Sequence, residues 1–201
     1  MKSSTTTHTV YLVELALMAA IIFVMAFTPL GYLRTPGLSI TFLTVPVAVG
    51  AIILGPAAGA VCGLVFGITS LMQCFGISTL GTALLGINPV GTIFTCIVPR
   101  VLEGWLCGLI FKAAKKKLKN GAYLLASLAC PLLNTVLYMT SLVVIFYHTE
   151  YIQTFVEALG ATNPFMFVVA FVGLQGFIEA VACFLIAGAV SRTLALALKQ
   201  G

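Results

Sequence analysis

A cluster of lysines at residues 112–119 holds five of the ten basic residues of this 201-residue chain, and long apolar runs flank it on both sides. Charges at this density are excluded from hydrocarbon, so the segment must lie in water. Basic loops of membrane proteins lie on the cytoplasmic side. The cluster therefore predicts a cytoplasmic loop, and counting apolar runs from it assigns a side to every other loop.

The composition is that of an integral membrane protein. Hydrophobic residues make up 61% of the chain and charged residues 7%, whereas a soluble domain has roughly 25% charged residues. Since a span needs about 20 apolar residues, the chain has room for six spans with short loops in one membrane domain, 1–201. No room remains for a soluble catalytic or nucleotide-binding domain. The net charge of +5 is a topology signal, and no nucleic-acid partner is expected.

The predicted fold is an all-α bundle of six transmembrane helices in the cell membrane, with both termini in the cytoplasm. The predicted spans cover residues 10–30, 38–54, 57–74, 91–111, 122–147 and 164–189. The outside loops are then 32–37, 75–90 and 148–163. Because segment 75–90 is long, uncharged and glycine-rich, it is either a lid over the membrane face or a plain connector.

Polar residues concentrate inside the last three predicted spans. They are Arg100, Glu103, Asn134, Tyr138, Gln175 and Glu179. Within each helix they lie three or four positions apart and so share a face. In one interpretation, Arg100 pairs with Glu103 or Glu179 as a structural lock. In the other, these groups line an outward-opening pocket for a small polar ligand, with Tyr138, Trp105 and nearby phenylalanines as its walls. The two interpretations are compatible.

Small residues at four-residue intervals predict close helix contacts. Gly59, Gly63 and Gly67 form such a stripe in the third span, and Ala16 and Ala20 form a pair in the first. Small-xxx-small spacing lets a second helix approach closely. Spacing alone favours packing within the chain's own bundle for both sets.

No residue pattern predicts chemistry or an energy source. The six cysteines include no C-x-x-C pair, and the two histidines are far apart, so neither a metal nor a cofactor is expected. Phosphate-binding loops and hydrolase motifs are absent from the sequence, as is an obvious internal repeat. The chain is therefore not expected to be an enzyme, and a solute that it moved would need energy from a partner.

Several segments in order resemble the substrate-binding S component of energy-coupling factor (ECF) vitamin transporters. Residues 40–60, ITFLTVPVAVGAIILGPAAGA, are similar to that family's pattern around its second and third spans, and the similarity continues through Gly63 and Gly67. Asn88-Pro89, Val98-Pro99-Arg100 and residues 134–137 also resemble family segments. The resemblance covers nearly the whole chain.

The resemblance implies a mechanism. The family's first span carries an A-x-x-x-A motif that docks on a membrane-embedded coupling protein, and Ala16 and Ala20 match it. Two ATPases on that protein drive delivery of the vitamin. The vitamin would lie between spans four, five and six, below loops 32–37 and 75–90. The residues placed at this site are Arg100, Asn134, Tyr138, Gln175, Glu179, Asn88 and Arg34.

The version of the motif in this chain looks closest to the pantothenate branch. Pantothenate is an anion, and Arg100 or Arg34 would meet its carboxylate. Some relatives carry a histidine where this chain has Thr44. Branches for hydroxymethylpyrimidine, pyridoxine and riboflavin remain alternatives. So do a non-transport membrane scaffold and an autonomous carrier coupled to an ion gradient, in which Glu179 would be the protonatable group.

Overall fold

The structure, a computed structural model, describes residues 4–35, 38–118 and 121–197, except for the side chains of residues 4–7, 33–35, 38–40 and 174–175. Over these residues it contains eight helices and one two-stranded sheet. The elements in chain order are α1 (Ser4–Ala26), β1 (Tyr32–Thr35), β2 (Leu38–Thr41), α2 (Thr44–Ile53), α3 (Pro56–Gln73), α4 (Thr79–Ile87), α5 (Pro89–Leu118), α6 (Gly121–Phe146), α7 (Glu150–Ala158) and α8 (Pro164–Ala197).

Five helices in the described part of the chain are long and apolar enough to cross a membrane. They are α1, α3, α5, α6 and the part of α8 from Gly176 onward. Large apolar side chains such as Val24, Val136 and Leu185 lie exposed on their outer faces, as expected where lipid replaces water as the surrounding solvent. The helical membrane architecture is therefore confirmed, whereas the predicted number of six spans stays a prediction, since five such helices are found among the described residues. The sidedness of the termini stays a prediction.

The second predicted span differs from the helix that forms. A helix was expected over 38–54, but residues 38–41 form strand β2, paired antiparallel with β1 so that Tyr32 lies opposite Thr41. Helix α2 begins only at Thr44 and has ten residues, a length of about 15 Å. Pro46 lies in its first turn, where the missing N–H interrupts no helical hydrogen bond. An earlier start would move Pro46 into the helix interior.

The two longer connections that were predicted to lie outside each contain a short helix that was not predicted. Segment 75–90 contains α4, and segment 148–163 contains α7. The side chain of Ser78 caps α4 by accepting a hydrogen bond from the Gly81 N–H at 3.2 Å. Ile152 and Val156 of α7 are buried in an apolar cluster with Leu84 of α4. Both segments therefore pack as defined elements at one end of the bundle.

The glycine stripe brings α3 and α5 into backbone contact, which confirms the predicted close packing. A Cβ atom added to Gly63 would collide with the carbonyl oxygen of Arg100, and one added to Gly59 would collide with that of Gly104. A Cβ at Gly67 would lie 2.9 Å from the carbonyl oxygen of Cys96. Because the stripe has no side chains, it determines how deeply the middle of α5 sits in the bundle.

Candidate functional site

A cavity of about 380 Å³ lies inside the bundle, between α3, α5, α6 and α8. The β1–β2 hairpin contributes Tyr32 and Thr41 to its wall, and the two short helices contribute residues such as Leu84 and Tyr151. Small-molecule sites in proteins have volumes of roughly 300–1,000 Å³ and combine apolar walls with a few polar groups. The cavity therefore has the size and the composition of a site for a small ligand.

Arg100 is the basic residue of this cavity, and its own helix holds it in place. The side chain is buried, with 6% of its surface exposed. Pro99 precedes it inside α5, and a proline in a helix has no N–H for the carbonyl four residues earlier. That carbonyl belongs to Thr95, and Nη1 of Arg100 donates to it at 2.5 Å. The proline thus leaves an acceptor that the arginine uses.

The guanidinium of Arg100 lies against two aromatic rings. Its central carbon is 4.2 Å from the centroid of the Tyr138 ring and 5.4 Å from that of Phe66. Both rings line the cavity, and cations are attracted to aromatic faces at such distances. The buried Nε of Arg100 has no hydrogen-bond partner. The group is thus held in position with donor capacity remaining for an anion.

Glu179 enters the cavity from α8 and is also held by backbone. Its Oε1 accepts a hydrogen bond from the Thr41 N–H at 2.8 Å, so a buried strand N–H gains the partner that it requires. Tyr32, in the same hairpin, also lines the cavity. Burial raises the pKa of Tyr32 to about 12, so its phenol stays protonated and able to donate. The hairpin and α8 are therefore joined at the cavity wall.

Asn134 on α6 presents an unpaired polar atom. The residue is buried and lines the cavity, and its Oδ1 has no hydrogen-bond partner in the structure. Most buried polar groups in proteins are hydrogen-bonded, so an orphaned one calls for an explanation. A ligand that donates a hydrogen bond to this amide would supply the missing partner.

Four of the seven residues placed at the site by sequence line this one cavity, namely Arg100, Asn134, Tyr138 and Glu179. The side chains of Gln175 and Arg34 lie outside the described residues. The shared polar face predicted for the last three spans is thus present in part, and contact of these residues with a ligand stays a prediction.

Asn88 is exposed and is not among the residues that line the cavity. Its Oδ1 accepts a hydrogen bond from the Gly91 N–H at 2.9 Å, at the point where Pro89 begins α5. Asparagine followed by proline is a common start of a helix. Capping therefore explains Asn88 better than ligand contact does.

Two other expectations about the polar face require correction. Trp105, expected as a wall of the pocket, lies on the outer face of α5 and is 44% exposed. Glu103 is fully buried but does not line the cavity. Its Oε1 accepts a weak hydrogen bond from the Cys130 thiol at 3.2 Å. Glu103 thus belongs to the packed interior.

The cavity also has lining residues that were not predicted. They include Tyr32, Gln73, Cys96, Tyr151, Phe155 and Phe171. Gln73 could have been found from the sequence, since it is a polar residue at the end of an apolar run. In the structure its Nε2 donates a hydrogen bond to the Ala26 carbonyl at 3.1 Å. The aromatic residues of α7 and α8 could not have been found in this way, because their segments contain many similar aromatic residues.

Ala16 and Ala20 lie on an exposed face of α1. This helix packs against α2 and α3, and its other exposed residues include Val13 and Leu17. The alanine pair is therefore not used for packing inside the described bundle, contrary to what spacing alone favoured.

The comparisons with known proteins agree with the resemblance found in the sequence. One relative, the pantothenic acid transporter PanT of Lactococcus lactis subsp. cremoris (strain MG1363), is 36% identical over 115 residues. That match covers 53% of this chain and 57% of the relative, so the chain spans little more than half the length of that protein. Residues 10–191 match the family described as ECF transporter, substrate-specific component. Because this match covers most of the chain, the chain belongs to the family of substrate-specific components of ECF transporters.

Proposed function

We propose that this chain is the S component that captures pantothenate outside the cell and delivers it inward through an ATPase-driven coupling module. The observation that carries the proposal is the buried, backbone-anchored Arg100 in the wall of a cavity of ligand size. The relative named as a pantothenic acid transporter supports the same substrate.

The chemistry of pantothenate matches the polar groups of the cavity. The molecule has a carboxylate at one end, an amide in the middle and hydroxyl groups at the other end. Arg100 would bind the carboxylate, since guanidinium and carboxylate form strong, oriented hydrogen bonds. The unpaired Oδ1 of Asn134 and the carboxylate of Glu179 are acceptors for the amide N–H and the hydroxyls. Tyr138 and Phe171 would cover the apolar carbons.

The aromatic part of the lining supports a second candidate class. Tyr151, Phe155 and Phe171 line the cavity. The ring centroids of Phe155 and Phe171 are 5.7 Å apart, in an edge-to-face arrangement. Such a wall would also stack on a flat ring, as found in hydroxymethylpyrimidine, pyridoxine or riboflavin. These ligands would leave the cation of Arg100 without a carboxylate partner, which makes pantothenate the better fit.

The exposed pair Ala16 and Ala20 supports docking of α1 on the coupling protein, with two ATPase subunits as the further partners. Small side chains allow a foreign helix to approach the backbone of α1 closely. The lysine cluster at residues 112–119 supports a cytoplasmic side for that end of α5. With six crossings of the plasma membrane, both termini would lie in the cytoplasm.

Purified protein in mild detergent provides the test. Native mass spectrometry should first show whether a small molecule co-purifies. Calorimetric titration then compares pantothenate, hydroxymethylpyrimidine, pyridoxine and riboflavin. We expect saturable binding of pantothenate and weak or absent binding of the other three. Selective binding of one of the ring ligands would replace the substrate, and failure to bind any of the four would favour a scaffold protein.

A further inference from the structure

Two cysteines meet in the wall of the cavity although they lie 22 positions apart in the chain. Cys74 follows the last turn of α3, and Cys96 lies in α5. Their sulfur atoms are 3.7 Å apart, and both residues line the cavity. The other four cysteines, Cys62, Cys107, Cys130 and Cys183, belong to the apolar core cluster and do not line the cavity.

The surrounding contacts keep the two thiols close together. Gly67 on α3 lies against the backbone of Cys96, where an added Cβ would be 2.9 Å from the carbonyl oxygen. The α3 and α5 backbones therefore already touch beside the pair. On the other side, a Cβ added to Gly81 of α4 would lie 2.6 Å from the Cys74 sulfur. Both sulfurs are thus confined, and each is buried except toward the cavity.

The geometry points to a redox-modification site: we propose that Cys74 and Cys96 form an intramolecular disulfide on oxidation by a small, neutral peroxide that enters through the cavity. A disulfide requires the sulfurs to approach to about 2.0 Å. Closing the remaining gap needs a side-chain adjustment and a small movement of the end of α3. The bond would join the end of α3 to α5, one turn before Arg100.

The reaction balances with hydrogen peroxide as the oxidant. The first thiol loses its proton and the resulting thiolate attacks a peroxide oxygen. The O–O bond breaks, a sulfenic acid forms, and the released hydroxide takes up that proton as the first water. The second thiol attacks the sulfenyl sulfur, the S–S bond forms, and the hydroxide leaves as a second water with the proton of that thiol. One peroxide thus takes two electrons from the two thiols. No metal and no ligand is needed.

Peroxide treatment of the purified chain in detergent tests the proposal. Remaining thiols are then alkylated under denaturing conditions, and the disulfides are mapped by peptide mass spectrometry. We expect a peptide linked through Cys74 and Cys96. Before alkylation, the intact mass of the oxidised protein should be lower than that of untreated protein by two hydrogen atoms. A dithiol reductant should restore both thiols. The four core cysteines should alkylate as in untreated protein.

Single-residue variants provide the controls. The Cys74→Ser and Cys96→Ser variants should each show no loss of two hydrogen atoms on peroxide treatment. The Cys62→Ser variant, which changes a buried cysteine away from the cavity, should still lose two hydrogen atoms. If one variant does not fold, the other and the wild-type peptide map still decide the question. A linked peptide from different cysteines, or full alkylation of Cys74 and Cys96 after peroxide, would overturn the proposal. Because no substrate is added, the result is independent of which vitamin binds.

Discussion

The Nη1 atom of Arg100 donates a hydrogen bond to the carbonyl oxygen of Thr95, five residues earlier in the same helix. The acceptor is available because Pro99 has no N–H to offer it. The cation of the cavity is therefore positioned in part by a gap in the hydrogen bonding of α5.

Pro99→Ala should weaken pantothenate binding by roughly 10–100-fold, since a hydrogen bond to a charged group contributes about 1.5–3 kcal/mol and 1.4 kcal/mol corresponds to a factor of ten. The alanine N–H would compete with Arg100 for the Thr95 carbonyl. Calorimetric titration measures the affinity. Pro131→Ala is the matched control, because Pro131 is also buried inside a helix but does not line the cavity. Equal losses in both variants would argue against a specific role for Pro99.

Arg100→Met should separate charge recognition from general packing. We expect the affinity for pantothenate to fall roughly 10–100-fold, because the carboxylate loses its charge-assisted hydrogen bonds. The affinity for pantothenol, the neutral analogue with an alcohol in place of the carboxylate, should change little. Calorimetry with both ligands gives the comparison. A parallel loss for the two compounds would mean that Arg100 does not bind the carboxylate.

Asn134→Leu should reduce pantothenate affinity without reducing the stability of the free protein. The Oδ1 atom of Asn134 has no partner in the structure, so removing it relieves a buried unsatisfied group. The unfolding temperature should stay the same or rise. Thermal unfolding without ligand and calorimetry with ligand measure the two effects. A large drop in unfolding temperature would show that Asn134 is a structural lock.

Gly63→Ala should destabilise the fold by about 1–3 kcal/mol, the usual cost of overpacking a tight contact. The added Cβ would collide with the Arg100 carbonyl, so ligand affinity should fall as well. Gly86→Ala is the control, because nothing lies within 4 Å of a Cβ at that position. Thermal unfolding in detergent compares them, and similar unfolding temperatures would contradict the close α3–α5 contact.

Ala16→Trp and Ala20→Trp should leave vitamin binding unchanged and abolish uptake in cells. Both positions are exposed on α1, where a large ring would obstruct the approach of the coupling protein but not the cavity. Leu185→Trp, on the exposed face of α8, should preserve both activities. Uptake of labelled pantothenate is the measurement. Normal uptake by both alanine variants would exclude this face as the docking surface.

Part of the architecture was visible in the sequence because it depends on local pattern. The apolar runs predicted long membrane helices, and the glycines at every fourth position predicted a close helix contact. An arginine inside an apolar run was a candidate functional residue, since charged residues within membrane spans are rare and are usually functional or paired. The start of α5 also carried a local signal, since Asn88-Pro89 is a capping pattern, but the predicted span began at residue 91 and Asn88 was assigned to the ligand site.

The rest depended on contacts between distant parts of the chain. Strand β2 was taken for the beginning of a helix because it runs without a break into the apolar segment of α2. Its stabilising partner, Glu179, lies 138 positions away from Thr41. The two cavity cysteines gave no spacing signal. The side chain of Gln175 remains outside the described residues, so its role stays a prediction. Local pattern therefore predicted the long membrane helices, whereas the lining of the cavity followed from tertiary packing.

The anchoring of Arg100 within its own helix has a practical consequence for redesign. Thr95, Pro99 and Arg100 all belong to α5, so both partners of the Arg100–Thr95 hydrogen bond lie on one helix. A library that varies Thr135 on α6 and Phe171 on α8 would reshape the cavity around a fixed positive charge. Such a library would be a source of binders for other small carboxylic acids, each selected by the shape of its uncharged portion.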